Sequence, residues 1–133
     1  MFTKIVWVLT AGMMGLIAWV ISQANKGEEL WIFSLVASIP YGDKLGHFAI
    51  FGSLSCIVTI ASRFYRLTLF GKQVFLGAIV VSLFVIVEEV SQAFIATRTF
   101  DLADLLFDAI GIGLSAFVCR KLQLRLGLKQ PVS

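Results

Sequence analysis

Residues 5–21 read IVWVLTAGMMGLIAWVI, with no charged side chain among them. A helix rises about 1.5 Å per residue, so about 20 mostly apolar residues are needed to cross a hydrocarbon layer roughly 30 Å thick. Flanked by Lys4 and by Ser22-Gln23-Ala24, this run reads as a membrane span. The flanks also loosely fit a cleaved leader, but the apolar run is longer than a usual leader core, which favours a retained anchor. The composition agrees: 59% of the 133 residues are hydrophobic and only 14% are charged, against about 25% in ordinary globular proteins. A soluble domain of this size buries only about 60–70% of the surface that its unfolded chain exposes, so lipid is the simpler solvent.

Three more apolar stretches follow, at residues 45–61, 74–95 and 102–119. The expected fold is therefore all-α, a polytopic membrane helical bundle of about four spans forming one domain over residues 1–133. No repeat or long linker interrupts it. Residues 30–39 are apolar but bounded by Glu28-Glu29 and Pro40. As helix they reach about 15 Å, half of the hydrocarbon core. They read as an interfacial or re-entrant segment between the first two spans, with Trp31, Phe33 and Tyr41 suited to the headgroup boundary. Gly12, Gly15, Ala49, Gly52, Gly111 and Gly113 are expected to serve close helix packing. Cys56 and Cys119 lie in apolar stretches without metal-ligand spacing and read as small apolar fillers.

Counting Lys and Arg loop by loop sets the orientation. With four spans, one side carries Lys4, Arg63, Arg66, Lys72, Arg120, Lys121, Arg125 and Lys129, and the other carries Lys26, Lys44 and Arg98. Eight against three places both termini in the cytoplasm. The last four cations also suit contact with anionic headgroups. A net charge of +3 is too small to indicate nucleic acid as a partner. The acids give a separate pattern. Glu28, Glu29, Asp43, Glu88, Glu89, Asp101, Asp104 and Asp108 all fall in the outer loops or the outer halves of spans, and so does His47, the only histidine.

Three strings hold most of these polar residues. In DKLGHF (43–48), Asp43 and His47 lie four apart and are expected to point together. In EEVSQ (88–92), Gln92 lies one turn from Glu88 and Glu89. In RTFDLAD (98–104), continuing to Asp108, the three aspartates fall within an arc of about 60°. Asp101 suits the N-cap of the last helix, accepting from the Ala103 or Asp104 amide. Arg98 suits a clamp on Glu89 or Asp101. Asp108 lies about 10 Å beyond Asp101 along the axis. A carboxylate that deep costs about 2.5–3.5 kcal/mol on insertion scales, so the strings are expected to face one another rather than lipid. Six acids then meet Lys44, Arg98 and a titratable His47. Some acids must be protonated, or must share a metal or cationic ligand.

Taken in order, DKxxHF, EExxQ and RxFDxxD followed by a glycine-bearing helix resemble the VanZ-like family of small bacterial membrane proteins, over about residues 43–113. The founding member of that family is associated with resistance to the glycopeptide antibiotic teicoplanin. The resemblance covers Asp43, Lys44, His47, Glu88, Glu89, Gln92, Arg98, Asp101 and Asp104. It departs at Asp108, where the family pattern usually has Asn, followed by a glycine that matches Gly111. The resemblance implies several spans with these motifs on adjacent helices. Together with the charge bias it implies a bacterial inner membrane, with the site facing outward.

Three functions fit. In the first, the site binds a lipid headgroup or a lipid-linked envelope precursor: Lys44, Arg98 and protonated His47 hold phosphate, and the acids hold an amine or a metal. In the second, an enzyme acts on such a lipid, with His47 as general base or metal ligand and Glu88, Asp104 and Asp108 as acids or ligands of a divalent ion. Asp43, Glu89 and Gln92 then complete the binding set. In the third, the acids relay protons or a cation. That ranks last, because the inner halves of the spans offer little beyond Thr59, Ser62 and Ser82 as a polar route.

Overall fold

The computed structural model describes residues 2–129, with side chains from Lys4 onward. The chain ends beyond them, to which the orientation expectation also applies, lie outside the described residues. The elements in order are α1 (Phe2–Asn25), α2 (Trp31–Ala37), α3 (Gly42–Ala61), β1 (Arg66–Leu69), β2 (Lys72–Phe75), α4 (Leu76–Gln92) and α5 (Leu102–Arg125). Three helical stretches are long and apolar enough to cross a membrane: Lys4–Asn25, Gly42–Ala61 and Leu102–Arg125. The outside of the bundle is as apolar as its inside. Trp7, Val8 and Leu16 of α1, Leu83 and Val87 of α4, and Leu106 and Phe117 of α5 all point outward, an arrangement that lipid tolerates and water does not.

The core is built where α3, α4 and α5 meet, from Phe51, Leu54, Val58, Val81, Val85 and Ile112. The tightest seam joins α3 to α5. A Cβ added at Gly111 would strike the Phe48 carbonyl oxygen, and one at Gly52 would lie 3.0 Å from the Gly111 carbonyl oxygen. The α3–α4 crossing depends on Gly77, whose missing Cβ leaves room for the Thr59 side chain. Only part of the expected glycine packing is present. Gly12, Gly15 and Gly113 have no atom within 4 Å of an added Cβ, so they face open space, whereas Gly77, which is not among the expected packing residues, sits at a close contact.

Two expectations need correction. The fold is not purely helical, because residues 66–75 form a β-hairpin with Arg66 opposite Phe75 and Leu69 opposite Lys72. Its two-residue loop, Phe70-Gly71, has positive φ at both positions (49° and 75°), the requirement of a type I′ turn. The stretch expected as a third span at residues 74–95 is therefore not helical throughout. Val74 and Phe75 end β2, and α4 runs for 17 residues, ending at Gln92. At about 25 Å it is shorter than a hydrocarbon core, and residues 93–95 form a turn outside it. The apolar segment before Pro40 is a seven-residue helix with no buried residue.

Antiparallel connection gives the bundle two chemically distinct ends. The C-terminus of α1, the N-terminus of α3, the C-terminus of α4 and the N-terminus of α5 share the acidic end, where the Thr97 hydroxyl donates to the Asn25 carbonyl at 2.7 Å. The hairpin and the C-terminal part of α5 share the other end, which is basic. There Arg66 donates to the Gln123 side chain at 2.6 Å. The Cys56 and Cys119 side chains also meet across the α3–α5 seam, with their sulfurs 3.1 Å apart.

Candidate functional site

At the acidic end the first turns of α3 and α5 and the last turn of α4 close on one another. The Lys44 side chain, 16% exposed, reaches from α3 across to α5. Its Nζ donates to Asp101 Oδ2 at 2.7 Å and to Asp104 Oδ1 at 3.0 Å, and on its own helix to Asp43 Oδ2 at 3.2 Å. One turn deeper, His47 Nδ1 lies 3.2 Å from each carboxylate oxygen of Asp108, while Nε2 lies 3.7 Å from Asp104 Oδ2. Asp108 is 1% exposed. Lys44 and His47, on one face of α3, thus mate with the aspartate stripe of α5.

The α4 contribution is a hydrogen-bonded relay. Gln92 Nε2 donates to Glu88 Oε1 at 2.8 Å and to Glu89 Oε2 at 3.2 Å. Arg98 Nε donates to Gln92 Oε1 at 3.2 Å, and its guanidinium lies 3.8 Å from Glu88 Oε1. Glu89 is fully buried, and its Oε1 accepts from the Asp101 amide at 2.6 Å. That bond ties α4 to the start of α5. Asp101 is itself the N-cap of α5, with Oδ1 accepting from the Ala103 amide at 2.8 Å.

Two expected pairings differ. Asp43 and His47 do not point together: Asp43 turns to Lys44 with its side chain 62% exposed, whereas His47 turns to α5. Positions four apart share a helix face, but Asp43 lies in the first turn, at the rim, where the neighbouring Lys44 amine is the nearer partner. Arg98 holds Gln92 and Glu88 rather than Glu89 or Asp101, because Glu89 is already engaged by the Asp101 amide. Sequence reasoning also missed the buried hydroxyls of Ser55 and Ser115, which lie deeper in the bundle. Their apolar surroundings hid them.

The arrangement favours ion pairing over metal ligation. Among the described residues no group of three or more His, Cys, Asp or Glu side chains is placed to hold a metal ion. Lys44 occupies the position between the aspartates that a cation would take. Two shallow apolar grooves open to the outside next to the cluster. One is lined by Ile86, Val87, Val90, Ser91 and Phe94 of α4 and the residues just after it, the other by Leu102, Ala103, Leu105 and Leu106 of α5.

The Lys44 amine, and next the Ala103 amide, hold the Asp101 carboxyl below its ordinary value of 3.8. The folded pKa is thus lower than the unfolded one. The stabilisation is full above the unfolded value and is lost as pH falls through the depressed folded value. Below pH 4 the thermal midpoint of the wild-type chain is expected to drop more steeply than that of Asp101→Asn, which has no proton to take up. Parallel pH profiles of the two would count against this role.

None of the protein-family models, curated proteins or solved structures compared with this chain matches it.

Proposed function

We propose that this chain is a membrane protein of VanZ-like type that crosses the bacterial inner membrane four times, with both termini cytoplasmic and the acidic end outward. In this reading the polar cluster binds the phosphate-bearing headgroup of a lipid or of a lipid-linked envelope component. The resemblance rests on the three ordered motifs, and the fourth span rests on α4, whose outward face is apolar although the helix is short. The observation that carries the binding reading is the convergence of Lys44 and His47 of α3 with Arg98 of the α4–α5 connection at one end of the bundle, beside two apolar grooves. Basic groups fit a phosphate, the acids fit an amine on the same headgroup, and the grooves fit acyl chains.

One observation favours a second reading, in which the chain is an enzyme acting on such a lipid. Both Asp108 oxygens hold His47 Nδ1, which fixes the ring and leaves Nε2 facing Asp104. An imidazole oriented in this way is placed to take a proton from a hydroxyl or a water. The metal-dependent form of this reading would need Lys44 to move aside. Transport through the single chain has less support, because below the cluster the Gly52–Gly111 contact and the side chains of Leu54, Val81 and Ile112 fill the space between the helices.

Native mass spectrometry of the purified chain tests the binding reading. The wild type is expected to retain a phosphate-bearing lipid, and His47→Ala and Asp104→Asn are expected to lose it by about ten-fold or more, while still inserting into membranes. Retention of the same lipid by both variants would overturn the assignment. The narrower link to glycopeptide resistance is tested by expression in a teicoplanin-susceptible host, where wild type is expected to raise the inhibitory concentration and Glu88→Ala and Asp104→Ala to return it to background.

A further inference from the structure

Among the described residues the basic end has no Asp or Glu side chain to answer its charge. Residues 44–87 and residues 109–133 contain no Asp or Glu at all. Within this acid-free region Arg66 is held in an unusual way. Its guanidinium donates to Gln123 Oε1 at 2.6 Å and lies over the Phe75 ring, 4.3 Å from the centroid. Phe75 is the cross-strand partner of Arg66, and Gln123 is 4% exposed on α5. A neutral amide and a ring fix the guanidinium without neutralising it, and the remaining N–H donors keep their full charge.

Gln123 also determines which residue stands next to Arg66. Arg120 lies three residues before Gln123, one turn back on the same face of α5, and its side chain is exposed. Fastening Arg66 to Gln123 therefore brings two guanidiniums to one patch. Burial, and next the Arg120 charge, pull the Arg66 pKa below its ordinary value. The two like charges thus act on each other across this patch. The hairpin next to it ends in Phe70, which is fully exposed, with Leu67 and Leu69 also open on one face. These apolar groups suit the boundary layer of a membrane.

We propose that Arg66 and Arg120 form a clamp for the phosphate of an anionic phospholipid headgroup in the leaflet at the basic end. Two guanidinium planes present paired donors to phosphate oxygens, a geometry that a lysine ammonium does not reproduce. The clamp rests on the membrane reading of this chain but is independent of any activity at the acidic end.

The test measures the thermal midpoint of the detergent-solubilised chain with added phosphatidylglycerol, phosphatidylcholine or inorganic phosphate. Phosphatidylglycerol is expected to raise the midpoint of the wild type, and the other two are not. Arg120→Gln and Arg66→Lys are each expected to weaken the apparent affinity for phosphatidylglycerol about ten-fold, while Lys129→Gln leaves it unchanged. Arg120 is exposed, so its loss would not reflect misfolding, and for Arg66→Lys, which also alters the contacts to Gln123 and Phe75, the midpoint without added lipid reports the fold separately. The clamp is wrong if both arginine variants respond to phosphatidylglycerol like wild type, or if Lys129→Gln loses as much affinity as they do. Full stabilisation by inorganic phosphate alone would overturn the lipid assignment. Failure of the wild-type chain to partition into vesicles would instead overturn the membrane reading.

Discussion

Lys44→Ala is expected to destabilise the chain by about 2–3 kcal/mol, because it removes the one amine that Asp43, Asp101 and Asp104 share. Breaking a buried ion pair by deleting one partner typically costs about 3–5 kcal/mol, since the other charge is left without compensation. The lower figure applies because the rim of this cluster is partly open. The cost comes from the stranded carboxylates and not from lost packing, so it should be largely reversed by removing charge on the other side. Lys44→Ala combined with Asp104→Asn is therefore expected to be more stable than Lys44→Ala alone. Unfolding in mixed detergent micelles, analysed as a double-mutant cycle, gives the coupling. Simple additivity of the two changes would show that the amine does not hold Asp104.

Gly111→Ala is expected to be comparably damaging through a different mechanism. The added methyl would meet a backbone carbonyl of α3, which cannot rotate away as a side-chain tip could. Overpacking of this kind costs about 1–3 kcal/mol, and the upper end is expected where backbone meets backbone. Gly113→Ala, two residues along the same helix, is the matched control. Nothing lies within 4 Å of its added Cβ, and alanine is the better helix former, by up to about 1 kcal/mol. Its stability is expected to equal or exceed that of wild type. The same unfolding measurement separates the two, and equal losses would place the α3–α5 contact elsewhere. Because this seam sits directly beneath Asp108 and His47, Gly111→Ala should also disturb the site above it.

Much of the acidic end was legible because helix periodicity and cost act together. The heptad-like spacing of Asp101, Asp104 and Asp108 places them on one face, and the expense of deep carboxylates requires that face to meet other polar groups. Asp101 could be read as a cap from its place ahead of an apolar run. Partner choice was less legible. Which cation answers which acid depends on side-chain reach and on groups already engaged. The bond from the Asp101 amide to Glu89 redirects Arg98 to Gln92 and Glu88, and no spacing rule contains that competition. The hairpin escaped notice because its strands are four residues long and its turn is Phe-Gly rather than the Asn-Gly or Asp-Gly that usually marks such loops. The Arg66–Gln123 contact joins residues 57 apart and follows only from the hairpin's fold.

The short α4 has a consequence for the surroundings of the protein. Its neighbours α3 and α5 have 20 and 24 residues, against 17 in α4. If all three cross the same bilayer, the lipids flanking α4 must compress by about 5 Å to match it. Such a dimple would bring water and lipid phosphates down toward Glu88 and Glu89. The ionisable groups there would then lie nearer to bulk solvent than their place in a flat membrane implies.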